Sequence, residues 1–144
     1  RTVTHILFDN WPDQSAPAEP HSILRLWAYI KSIAQKQPVV VHCSAGIGRT
    51  FTFIGLSYAV EMLKKPGMKI DDVIKELRLI RPRAVQTLYQ YFFMHVCVLE
   101  HFAQINVIKR TPALQSFFEL HKQIIDRRNN KTVETKIEGS LKHL

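Results

Sequence analysis

From His21 to Gln37, Ile23, Leu24, Trp27, Ile30, Ile33 and Ala34 share one face at helical spacing, with Lys31 and Lys36 off it. An apolar stripe that returns every three or four residues predicts an amphipathic helix. The same pattern predicts four more. One covers 50–64 and is stopped by Lys65-Pro66-Gly67. Another starts near Asp71, which can cap it, buries Val73, Ile74, Leu77 and Ile80, and ends before Pro82. A third runs over about 87–103. The last covers 111–127, with Pro112 in its first turn and Leu114, Phe117, Phe118, Leu120, Ile124 and Ile125 apolar.

Two segments carry a different pattern. Val3, Ile6 and Phe8 lie in a β-prone run that ends at the turn signal Asp9-Asn10, which predicts a strand over 2–8. Pro38-Val-Val-Val-His42 is a short, continuous β-branched run, the form of a strand buried on both faces of a sheet. Together the patterns predict an α/β fold with a central mixed sheet flanked by helices. Between the first strand and the first helix, Trp11 to Pro20 is rich in proline and small residues, an irregular but stiff loop. Beyond Arg127 the chain is polar and poor in large apolar residues, so residues 128–144 are expected to form a disordered tail.

Composition narrows the function classes. A chain of 144 residues fits one domain, and its net charge of +8 favours an anionic partner. The basic residues are scattered in short clusters and do not interleave with aromatics as a single-strand nucleic-acid surface requires, so no nucleic acid is expected as partner. No apolar run approaches the roughly 20 residues of a membrane-spanning helix. The N-terminus lacks both an initiator Met and the pattern of a secretory signal, which reads as an excised piece. The two cysteines give no sign of a disulfide framework, and a reducing cytoplasm is the expected setting. The histidines show no metal-ligand spacing.

The candidate chemistry lies in His42-Cys-Ser-Ala-Gly-Ile-Gly-Arg-Thr50, a link of small residues between the second predicted strand and a helix. Gly46 and Gly48 permit backbone angles closed to other residues, so successive amides can turn inward around an anion. The following helix adds its own unpaired amides and the positive end of its dipole. Cys43 enters that field, which favours the thiolate, the form that attacks. Arg49, six residues on, brings a planar fork that can hold two phosphate oxygens and that lysine does not reproduce.

These residues resemble the signature loop of the tyrosine-specific protein tyrosine phosphatases. Two further blocks occur in the family's order: Trp11-Pro12-Asp13 resembles its mobile acid loop, and Val85-Gln-Thr-Leu-Tyr-Gln-Tyr91 its glutamine loop. The resemblance implies hydrolysis of protein phosphotyrosine through a cysteinyl-phosphate, with phosphotyrosine-containing proteins as partners and no metal or cofactor. It assigns Cys43 as nucleophile, Asp13 as general acid and then base, and Gln86 and Gln90 as the pair that orients water. Thr50 would ease departure of the thiolate. Ser44, Ala45, Gly46, Ile47, Gly48 and Arg49 would hold the phosphate, with His42, Trp11 and Pro12 supporting. It covers residues 1–104, read as the C-terminal part of the catalytic domain with the N-terminal half absent; 105–127 is an additional amphipathic helix. Ser15 stands where the acid loop usually has glycine, and Phe51 where glycine usually follows the signature threonine. Phe51 and the missing half keep open a second reading, a pseudophosphatase that binds phosphotyrosine or a partner without turnover.

Overall fold

The helical periodicities hold in the computed structural model, which describes the backbone of residues 2–141 and the side chains of residues 2–131. Among the described residues five helices form: α1 (His21–Ala34), α2 (Arg49–Met62), α3 (Ile70–Ile80), α4 (Leu88–Gln104) and α5 (Pro112–Leu141). α2 and α4 make the centre, with α3 against α2, α5 against α4, and α1 touching both central helices. The core draws on every helix, through Ile23 and Trp27, Leu56 and Val60, Val73 and Leu77, Phe93 and Met94, and Ile125. Gly55 lets α2 pack closely, since a Cβ there would stand 3.0 Å from both the Leu77 side chain and the Met94 sulfur.

Local chemistry sets the helix starts. Thr87 Oγ1 accepts the Gln90 amide and Gln90 Oε1 accepts the Thr87 amide, both at 3.3 Å, a reciprocal capping box at the head of α4. At α3 it is Asp72, not Asp71, that reaches back, its carboxylate accepting the Lys69 amide at 3.3 Å. Asp71 instead accepts the Tyr91 hydroxyl, which ties α3 to α4. Ile80, assigned to the buried stripe of α3, is 74% exposed because it falls in the last residue of the helix, past the face that meets α2.

The central mixed sheet does not form. Among the described residues the chain is helix and irregular segment throughout, with no strand. Neither of the two β-prone segments hydrogen-bonds to the other, and Val40, expected to be buried on both sides, is 88% exposed. A strand is stable only when its backbone groups pair with a neighbouring strand, and no such partner is present among the described residues, although Phe8 of the first segment packs against the core. The other difference is at the C-terminal end. The tail was expected from residue 128, but α5 continues as helix to Leu141; residues 142–144 lie outside the described residues. Extending an existing helix fixes one residue per hydrogen bond, so a polar run of ordinary helix formers propagates a helix that the Phe117, His121 and Ile125 face has already anchored.

Candidate active site

Residues 43–50 link the irregular segment 38–42 to the start of α2. Gly46 sits at φ +67°, the left-handed region where a side chain is strained, and this turn folds the loop back on the cysteine. Burial pushes the Cys43 thiol up, but hydrogen bonds from the Thr50 hydroxyl and from the backbone at Thr50, Gly46 and Ile47 outweigh it and bring the pKa down from 9.0 to about 7. Thr50 Oγ1 is buried, and its hydroxyl leads the groups that lower the Cys43 thiol. Cys97, by contrast, is fully enclosed among core residues, and burial raises its thiol well above the ordinary value. One thiol is lowered by its own loop and the other is raised by the core around it.

Glycine is needed at position 48 for space. A Cβ there would lie 2.9 Å from Gln90 Nε2 and 3.0 Å from Gln86 Oε1. Both glutamines therefore press directly on the end of the signature loop. They do so from different places: Gln90 is in the first turn of α4 and 1% exposed, whereas Gln86 precedes the Thr87 cap, so the two do not share a helix face. Gln90 Oε1 also accepts the Gln86 amide at 3.0 Å, which locks the pair together. A backbone bond joins the two loops, Val85 N–H donating to the Ile47 carbonyl at 3.0 Å. Val85 makes it at φ +56°, a strained conformation for a β-branched residue. The Arg78 guanidinium supports this bend by donating to the Ala84 and Val85 carbonyls at 3.1 and 3.3 Å.

The acid loop approaches from the other side. Trp11 is 6% exposed and meets Phe93 of α4 edge-on at 5.6 Å. Its indole N–H donates to the Ser15 carbonyl at 2.9 Å, closing the loop at its base and leaving Pro12, Asp13 and Gln14 exposed at the tip. Arg49 bridges to this tip, with Nη1 donating to the Trp11 carbonyl at 3.2 Å and Nη2 standing 3.2 Å from Asp13 Oδ1. The fork thus faces the acid loop, while its Nε is buried without a partner.

Cys43, Thr50, Gly46, Ile47 and Gly48 therefore come together with Gln86 and Gln90, and Arg49 joins this cluster to Asp13 and Trp11. Ser44, Ala45 and His42 are exposed, and His42 is not among the groups that act on the Cys43 thiol. Phe51 is half-buried and packs on the core. Sequence reasoning missed Val85 and Arg78, whose roles are backbone roles without a sequence signature. The cap by Gln90 was readable from Thr87-Leu-Tyr-Gln90, a threonine followed three residues later by glutamine.

Comparison with known proteins points to one family. The family described as protein-tyrosine phosphatase matches residues 1–100. The receptor-type tyrosine-protein phosphatase V of Rattus norvegicus is 42% identical over 106 residues, a stretch that is 69% of this chain and 6% of that protein. The tyrosine-protein phosphatase non-receptor type 7 of Rattus norvegicus is 41% identical over 109 residues, 73% of this chain and 30% of that protein. A crystal structure of a Trypanosoma brucei protein tyrosine phosphatase superposes with a TM-score of 0.57 at 32% identity, covering 65% of this chain and 34% of that one. The chain thus spans less than a third of the length of these two curated relatives. With more than two thirds of its length matched, and with the thiol, glutamine and acid loops gathered around one another, the chain belongs to the protein-tyrosine phosphatase family.

Proposed function

We propose that this chain carries out hydrolysis of protein phosphotyrosine through a cysteinyl-phosphate. The observation that carries this reading is the gathering of Cys43, Gly48 and Arg49 against Gln86, Gln90 and Asp13, with the Cys43 thiol lowered to about 7 by Thr50 and by the backbone at Gly46 and Ile47. In the first step the Cys43 thiolate attacks phosphorus, the bond from phosphorus to the phenol oxygen breaks, and Asp13 gives its proton to the departing oxygen. Arg49 and the loop amides stabilise the charge on the three remaining phosphoryl oxygens. In the second step Gln86 and Gln90 orient a water, Asp13 takes its proton, and the phosphorus–sulfur bond breaks with the Thr50 hydroxyl hydrogen-bonded to the departing thiolate. For this to proceed, Arg49 has to exchange its contacts with Asp13 and Trp11 for the phosphate.

That same contact favours a second reading: with its fork already engaged by the acid loop, the chain would bind phosphotyrosine or a partner without turnover. Phosphate release from a phosphotyrosine peptide by the 144-residue chain, with Cys43→Ser as control, separates the two. Release that disappears in the variant supports the enzyme, and no release from a folded chain supports the binding module. No helix among the described residues is long and apolar enough to cross a membrane. A cytoplasmic setting is proposed because a low-pKa thiol needs a reducing compartment to stay free. A role in phosphotyrosine signalling follows from the substrate class.

A further inference from the structure

The acid loop is tied to a helix that the family match does not reach. Ser15 Oγ donates to Asn129 Oδ1 at 2.7 Å, across 114 residues of chain, and Asn129 lies on α5, beyond the matched residues 1–100. Ser15 is also the residue that closes the loop, since its carbonyl takes the Trp11 indole at 2.9 Å and its amide donates to the Pro12 carbonyl at 3.3 Å. Pro12, Asp13 and Gln14 are exposed while Trp11, Ser15, Ala16 and Pro17 on either side are buried. The Asp13 carboxylate itself meets the Gln14 amide at 3.1 Å and Arg49 Nη2 at 3.2 Å, and the loop that carries it is anchored at its base by whatever holds Ser15. A glycine, the usual residue of the resembled loop at this place, has no hydroxyl to offer α5. Two neighbouring contacts run the same way: Lys122 Nζ lies 3.3 Å from Glu19 Oε1, and His121 stacks on Phe93 at 5.6 Å, the ring that Trp11 meets.

We propose that Asn129 is a positioning residue of the acid loop: by holding Ser15 it fixes where Asp13 stands, so that α5 governs delivery of the proton. The consequence for turnover rests on the phosphatase reading above, whereas the latch itself rests on geometry.

Two variants of the full chain test it. Asn129→Ala removes the acceptor, and Asn129→Asp keeps acceptor oxygens for the Ser15 hydroxyl. With phenyl phosphate, whose leaving oxygen depends on protonation, Asn129→Ala is expected to lower kcat about fivefold at unchanged KM, the rate equivalent of one ordinary hydrogen bond. It should also speed amide hydrogen exchange over residues 11–18, and Asn129→Asp should leave both at the wild-type level. Because Asn129 acts through Asp13, the alanine substitution should cost nothing further in an Asp13→Asn background. An equal fractional loss in both backgrounds, or unchanged exchange over 11–18, overturns the proposal. The exchange measurement does not need turnover, so an inactive chain whose loop amides speed up in Asn129→Ala would keep the latch and remove the phosphatase reading.

Discussion

The signature loop and the acid loop are built in opposite ways. Everything that lowers the Cys43 thiol lies within seven residues of it, in the backbone of the loop and the Thr50 hydroxyl. The acid loop is closed by local bonds among Trp11, Pro12 and Ser15, but its seat on the fold comes from distant residues. Asp13 meets Arg49 at the start of α2, Trp11 is seated on Phe93 of α4, and Ser15 is held by Asn129 of α5. A site held by its own backbone is insensitive to how the helices are arranged, whereas a loop held from three helices reports on all of them. In the proposed mechanism, proton delivery is therefore the step most open to influence from the rest of the fold.

The largest effect on this contrast should come from Arg49, the one side chain that belongs to both regions. Arg49→Lys keeps a charge but loses the fork that reaches Trp11 and Asp13, and kcat for p-nitrophenyl phosphate is expected to fall by roughly 10²–10³-fold. A loss smaller than tenfold would separate the two loops. Gly48→Ala comes next and acts on the cradle alone. Its Cβ would displace both glutamines, so hydrolysis of the intermediate should slow on the order of 10²-fold. Rapid-mixing kinetics should then show a burst of phenol followed by slow turnover, where a uniform slowing without a burst would place the glutamines elsewhere in the reaction.

The pH dependence gives a smaller effect. With the thiol at about 7, kcat/KM should drop about tenfold for each pH unit below that value as the thiolate is lost. A profile of kcat/KM against pH checks this, and Thr50→Val, which removes the hydroxyl, should move the inflection to higher pH. The smallest effect lies under the acid loop. Burial lowers His121 from 6.5 to about 4, so between those values the unfolded chain binds the proton that the folded chain refuses. Stability contributed by neutral His121 is thus present above about 6.5 and lost as pH falls toward about 4. Thermal unfolding of His121→Phe followed against pH should show a shallower decline over this window than the wild type.

Much of the helical layer was legible because its signal is periodic and local. Val73, Ile74 and Leu77 mark the inner face of α3 in the sequence as clearly as in the structure. The failures have a common cause. Val39 and Val40 have the residue types of a buried strand, but strand formation depends on a neighbouring chain segment, which no local pattern can guarantee. Asn129 sits in a polar run that reads as tail, and its meaning comes only from the serine 114 positions earlier.

The sequence by itself determined the family motif: a thiol, a string of small residues, a threonine and an arginine stand within eight positions, and their local backbone lowers the Cys43 thiol. Only the tertiary structure decided the placement of the second half of the site, because the contacts that tie this loop to the helices join residues 36 to 114 positions apart. Interactions across such distances exist only after the helices have packed, and nothing in the local sequence encodes which side chains will then face one another.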